Sequence, residues 1–158
     1  MEEKIFHLTK GKLHELKKEY DNLVAFEHSK ITGEEAPKIL ESEDLNPEFV
    51  SFQEDIESLR GRIDELKSIL ENYQLIKKPP KEKQVFADLG AKVKVNINGK
   101  SNEFMIVGTL EANPQAGKIS NESPLGAAIL GRKIGEEFTV PGQKKTFYKI
   151  KNIKYKSI

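Results

Sequence analysis

The chain has 158 residues, 37% hydrophobic and 32% charged, with Lys plus Arg at 26 against Asp plus Glu at 25. That length fits one ordinary domain or two small ones; the charged fraction points to a large solvated surface, and the near-neutral balance gives no overall steering toward nucleic acid or membrane. The lack of cysteine excludes disulfides, thiolate metal sites and cysteine nucleophiles. It fits a reducing cytoplasm. No apolar run approaches the ~18 residues of a membrane span, and Met1-Glu2-Glu3-Lys4 lacks a signal peptide's apolar core. The expectation is a soluble, cytoplasmic protein with no membrane partner.

The first half reads as helix. Thr9 is a candidate N-cap, and Leu13, Leu16, Tyr20 and Leu23 recur at steps of three and four. The pattern loosens from Glu27 to Gly33. Thr32 followed by Glu35 reads as a capping box that restarts helix before Ala36, Ile39 and Leu40, so a break is predicted at Thr32-Gly33. Glu41 to Pro47 reads as a turn. Asn46 can cap a second helix, Pro47 suits its first position, and Glu48 favours the positive end of its dipole. From there Phe49, Phe52, Ile56, Leu59, Ile63, Leu66, Leu70 and Tyr73 form an unbroken a/d seam. Gly61 weakens that helix by ~1 kcal/mol relative to alanine. A short turn between two seams predicts an antiparallel coiled-coil hairpin over residues 1–76, with an acidic tip near 41–46. A helix of about 28 residues is roughly 42 Å long. Two helices enclose no substrate pocket; they reach.

Residues 77–84 read as a linker, stopped and stiffened by Pro79-Pro80. Its Lys77, Lys78, Lys81 and Lys83 form a basic run that could touch nucleic acid or acidic groups of a partner, although a charge run is usually a solvated face. Beyond it, over 85–158, the period becomes two. Val93, Val95 and Ile97 alternate with Lys92, Lys94 and Asn96; Asn98-Gly99 signals a hairpin, and Glu103 to Gly108 is the return strand. Ser123 to Gly131 reads as a short helix with a glycine C-cap. Phe138 to Gly142 and Thr146 to Ile150 read as a second hairpin, extended by Ile153 and Tyr155. The fold class is therefore α+β in two domains, the second of about 75 residues with a modest core. His7, His14 and His28 lack partner ligands at metal spacing, and neither a phosphate loop nor a Ser/His/Asp arrangement is present.

This order of parts resembles the GreA and GreB transcript-cleavage factors nearly end to end. Leu8-Thr9-x-Gly11 with Leu16, Glu19 and Tyr20 is similar to the family's opening segment, and Gly61-Arg62-Ile63 with Leu66 and Leu70 to its second helix. Ile106-Val107-Gly108, Glu111-Ala112, Gly117-Lys118-Ile119-Ser120, Ser123-Pro124-Leu125-Gly126 and Leu130-Gly131 then follow in the family's order and spacing. The resemblance implies an FKBP-like second domain that docks on bacterial RNA polymerase, with Ser123, Pro124, Leu125 and Gly126 near the docking surface. It implies a monomer whose hairpin enters the secondary channel. There, tip carboxylates help hold the second catalytic Mg²⁺, shared with the polymerase and not bound by the free protein. The polymerase then cuts backtracked nascent RNA, so the chain is not itself an enzyme. Mg²⁺ takes few protein carboxylates, and a second metal stabilises both the attacking and the leaving oxygen.

The tip departs from the family's Gly-Asp-Leu-x-Glu-Asn-Ala-Glu-Tyr. Counted back ungapped from Phe49, the Asp position falls on Ser42 and the Glu position on Leu45. With a two-residue gap, Asp44-Leu45 matches Asp-Leu and the glutamate is lost. Glu41, Glu43 and Asp44 still cluster there. In one reading Asp44, with Glu43 or Glu41, serves the metal in shifted register. In the other, the protein occupies the channel and modulates or inhibits the polymerase without promoting cleavage. A third class sets the resemblance aside: a coiled-coil adaptor, or a prolyl isomerase, which would need an aromatic-lined pocket.

Overall fold

A computed structural model describes residues 3–33, 47–142 and 146–156. The chain divides into two units, Leu13–Asn72 on one side and Met1–Lys12 joined to Tyr73–Ile158 on the other. One is helical and one is α+β, as the change of period predicted.

Two long helices make the first. α1 spans Lys10–Thr32 and α2 spans Pro47–Glu71. Thr9 caps α1, its hydroxyl accepting from the Lys12 amide at 3.2 Å. Pro47 opens α2 with Glu48 in its first turn. Leu16 on α1 and Ile56, Ile63, Leu66 and Ile69 on α2 are buried. At the end of α2 the more buried residue is Ile69 rather than the expected Leu70; a three-residue step from Leu66 keeps to the same helix face as well as a four-residue step.

Beyond Leu23 the inward positions of α1 turn charged, which is why the apolar pattern loosens there. Glu27 takes Arg60 at 3.2 Å and Lys30 takes Asp55 at 3.5 Å, while Glu19 holds Arg62 through two bonds of 2.7 and 3.0 Å. Partners of ascending residues on α1 descend along α2, so the helices are antiparallel. Val24, Phe26 and Ile31 face outward and are exposed. α1 ends at Thr32, where the break was expected. The Thr32 hydroxyl donates to the His28 carbonyl at 2.7 Å, and Glu35, the other half of the expected capping box, lies outside the described residues.

A Cβ placed on Gly61 would meet nothing within 4 Å. Gly61→Ala should therefore stabilise the protein by about 0.5–1 kcal/mol, read as a higher urea midpoint with unchanged slope. A lower midpoint would mean that the site is tighter than its geometry indicates.

The second unit starts ahead of α1. β1 (Phe6–Leu8) pairs in parallel with β2 (Tyr73–Leu75), and the Ile76 amide extends the ladder to the Leu8 carbonyl at 2.8 Å. Leu8 is fully buried. The units therefore part at residues 12–13 and 72–73 and not at the linker expected over 77–84, because β1 and β2 tie both ends of the helical segment to the later strands.

β3 (Ala91–Ile97), β4 (Lys100–Val107), β5 (Lys118–Ser120), β6 (Glu137–Phe138) and β7 (Tyr148–Tyr155) form one sheet in the order β5-β4-β3-β7-β6. Asn98 and Gly99 join β3 to β4 with φ of 49° and 88°, the left-handed pair that a two-residue type I′ hairpin requires. β6 is shorter than expected, since only Glu137 and Phe138 pair with β7. Alternate residues Val93, Val95, Ile106, Ile150 and Ile153 fill the core together with Ile129 of the short helix α3 (Pro124–Ile129); Leu125 and Ala128 pack against it.

The Tyr155 hydroxyl donates to the Phe86 carbonyl at 2.6 Å. Burial pushes this phenol up to about 12. Above pH 10 the unfolded chain loses a phenolic proton that the folded chain keeps, so stability falls as pH rises from 10 toward 12. Tyr155→Phe should flatten that part of a pH–stability curve measured by chemical unfolding. An unchanged slope would refute the assignment.

Candidate functional site

The residues carrying the resemblance touch one another in pairs. Gly108 lies so close to β1 that an added Cβ would sit 2.0 Å from the His7 carbonyl oxygen. Glu111, in a 3-10 turn over Thr109–Glu111, accepts from the Thr9 amide at 3.0 Å and from the Thr9 hydroxyl at 2.6 Å. The cap of α1 is thus itself held by a carboxylate 102 residues away. Glu19 and Arg62 meet likewise across the helical hairpin. The Glu19 carboxylate, joined by Glu65, pushes the Arg62 guanidinium above even its usual high range.

Ser123 to Gly126 forms a similarly tight corner. The Ser123 hydroxyl donates to the Ser120 carbonyl at 2.6 Å and accepts from the Gly126 amide at 3.1 Å, capping α3. Pro124 takes the first helical position. Gly126 is buried because a Cβ there would lie 2.0 Å from the Ser120 carbonyl oxygen. The Ser120 hydroxyl accepts from the Glu122 amide at 3.1 Å and lies 3.2 Å from the Thr109 hydroxyl. Thr109 in turn donates to Glu122 at 2.8 Å, and Glu122 pairs with Lys4 ahead of β1 at 3.8 Å. One polar network therefore links the start of the chain, the 3-10 turn, β5 and the entry to α3. Of the four residues expected near a docking surface, only Pro124 is exposed. Ser123 and Leu125 are half-buried, and Ser123 has its hydroxyl engaged. Their chemistry shapes the corner, and what the corner presents outward is a proline on a fixed backbone.

The remaining expected site residues, Glu41, Glu43 and Asp44, lie in sequence between α1 and α2 and outside the described residues. Among the described residues, no group of three or more His, Cys, Asp or Glu is placed to hold a metal, and no helix is long and apolar enough to cross a membrane. Among the described residues, the open clefts of the second unit include two wider ones. One of about 630 Å³ is lined by His7, Tyr73 and Asp88 among others; the second, of about 430 Å³, is lined by Pro79, Phe86 and Leu130 among others. Each counts one aromatic residue in its lining, since Phe138 and Tyr148 are stacked at 5.3 Å in the core and Tyr155 is buried. Neither is the aromatic pocket that an isomerase would need.

Residues 81–155 match the family model described as the C-terminal part of the transcription elongation factors GreA/GreB. A protein named transcription elongation factor GreA from Thermomicrobium roseum is 34% identical over 131 residues, 82% of this chain and 83% of its own length. One of the same name from Mycoplasma genitalium is 39% identical over 143 residues, 86% of this chain and 87% of its own. A solved structure described as a prokaryotic transcription elongation factor GreA/GreB from Nitrosomonas europaea aligns over 96% of this chain and 99% of its own, at 16% identity and a TM-score of 0.42, too loosely to support an argument.

Proposed function

The chain belongs to the GreA/GreB family of transcription elongation factors, and we propose on that premise that it binds bacterial RNA polymerase and stimulates cleavage of backtracked RNA. The observation that carries this reading is identity of 34–39% to proteins named GreA along 82–86% of the chain, across both units. The α+β unit, read as FKBP-like, docks on the polymerase with the Ser123–Pro124 corner at or beside the contact. The helical hairpin passes down the secondary channel, two antiparallel helices being long and narrow enough for that task.

At the tip, Asp44 with Glu43 or Glu41 holds Mg²⁺ together with the polymerase. Three carboxylates within residues 41–44 are the hard oxygen donors that this ion takes. The bound ion supplies positive charge to the water and phosphate oxygens of the cleavage. The protein's own part is to deliver the carboxylates and orient a water. It completes a site rather than forming one, acts as a monomer and reaches nascent RNA only through the polymerase.

The test uses stalled, backtracked elongation complexes of the cognate polymerase with 3′-labelled RNA. Added protein should speed release of short 3′ fragments in the presence of Mg²⁺. Binding with unchanged or slower cleavage would overturn the reading and leave a regulator that occupies the channel.

A further inference from the structure

The sheet turns a lysine-rich face away from α3, and nothing in the reading above uses it. Strand register lays this face out in rows, because directly opposed residues share a face. One row runs Lys118 on β5, Met105 on β4, Lys92 on β3 and Lys154 on β7. The next holds Glu103, Lys94 and Asn152. The third holds Ser101, Asn96, Lys149 and Glu137. Lys151 adds to them at the register shift in β7, where it is exposed. Valine and isoleucine at the intervening positions face the core, which fixes the lysines on the outer side.

This arrangement costs the fold something. Lys92 stands directly opposite Lys154, and like charges in that relation repel. Lysines that guard a sheet against aggregation sit on edge strands, which accounts for Lys118 on β5 and for Lys154 in the part of β7 beyond the two residues β6 pairs with, but not for Lys92 and Lys94 on the central strand β3. Internal compensation is sparse. Glu103 takes Lys92 at 2.9 Å, and Glu137 lies 3.9 Å from Lys149. The bond from Lys92 holds the Glu103 carboxyl below its usual range, with Lys154 and Lys94 adding to the effect. Positive potential therefore extends over the first two rows.

We propose that this face binds the phosphate backbone of a nucleic-acid duplex. Interfaces with proteins are depleted of lysine and enriched in aromatic residues and arginine; these three rows hold lysine, no arginine or aromatic residue, and Met105 as their one large apolar residue, with the exposed Phe147 lying beyond the third row. Single strands are held by stacking bases on aromatic side chains, and none lies in these rows. What remains is a lattice of ammonium point charges about 6.6–6.8 Å apart along strands and about 4.8 Å across them. Such charges position a phosphate backbone and read no sequence. The inference stands independently of polymerase binding.

The test is fluorescence anisotropy on the free, full-length protein with mixed-sequence DNA and RNA duplexes of about 20 base pairs, near 50 mM salt. Either duplex should bind, with a log–log salt slope of about −3 to −4.5, as expected for three to five phosphates neutralised. Lys94→Gln with Lys154→Gln should weaken binding at least tenfold and flatten the slope, while Lys77→Gln with Lys78→Gln leaves both unchanged. Glu103→Gln should tighten binding severalfold, a gain that misfolding does not produce. Three outcomes would overturn the proposal: no duplex binding at low salt, binding indifferent to the sheet variants, or preference for a single strand or for poly-glutamate, which would indicate an acidic protein partner.

Discussion

Asp44→Asn is expected to reduce stimulation of transcript cleavage about a hundredfold, in the range seen when a group supporting a metal or a developing charge is removed, with binding to polymerase retained. Asparagine keeps the size and one oxygen of aspartate but loses its charge, and Mg²⁺ binding depends on that charge. A Mg²⁺ titration gives the signature, since a weakened ligand should demand more metal for half-maximal cleavage, which a docking defect would not. Glu43→Gln should have the smaller effect if Asp44 holds the position closer to the metal. The ungapped register, with Ser42 and Leu45 at the acidic positions, predicts no loss for either substitution. Full activity in Asp44→Asn would therefore refute the shifted-register assignment.

Gly108→Ala and Gly126→Ala are expected to destabilise the α+β unit by about 3 kcal/mol each, at the upper end of overpacking effects. In both, the new methyl group would lie 2.0 Å from a carbonyl oxygen, of His7 and Ser120 respectively. A backbone atom cannot swing aside as a side chain does, so relief requires a strand or helix to move. Thermal unfolding should fall by more than 10 °C for a unit of this size. The two should differ in where they loosen first. Gly108→Ala should raise amide exchange in Phe6 to Leu8, whereas Gly126→Ala should free the start of α3. A shift below about 1 kcal/mol in either would contradict the close approach, and Gly61→Ala, with open space around it, provides the opposite sign in the same assay.

What could be read from the sequence follows from the range of each interaction. The apolar run of α2 as far as Leu66, the Asn98-Gly99 turn and the short helix after Ser123 are all written within a few neighbouring residues, and all are present. β1 and β2 were not legible. Each has three residues, too few for alternation to show, and they meet in parallel across the whole helical segment. The hold of Glu111 on Thr9 spans 102 residues and leaves no local pattern. Motif resemblance did mark Gly108, Glu111, Ser120 and Gly126, but as a string; their contacts give the physical reason, since each fixes a close approach or a cap. At Ser123 to Gly126 the sequence left a docking surface and a turn-shaping role both open; in the structure Ser123 and Gly126 form the corner, Leu125 packs against the core and Pro124 is exposed. The lysine face was hidden by the opposite route. A net charge of +1 averages over the chain, and only strand register gathers Lys92, Lys94, Lys118, Lys149 and Lys154 onto one side.

Because the chain leaves the α+β unit after Lys12 and re-enters it at Tyr73, the helical hairpin is an insertion with two covalent attachments, like a boom on a double mounting. Each attachment continues into a strand of the β1–β2 pair. The same topology separates reach from anchorage. Seven residues added to each helix would extend the boom by about 10.5 Å and leave every hydrogen bond of the mounting in place. Length can therefore be tuned, by selection or by design, without renegotiating how the base is built.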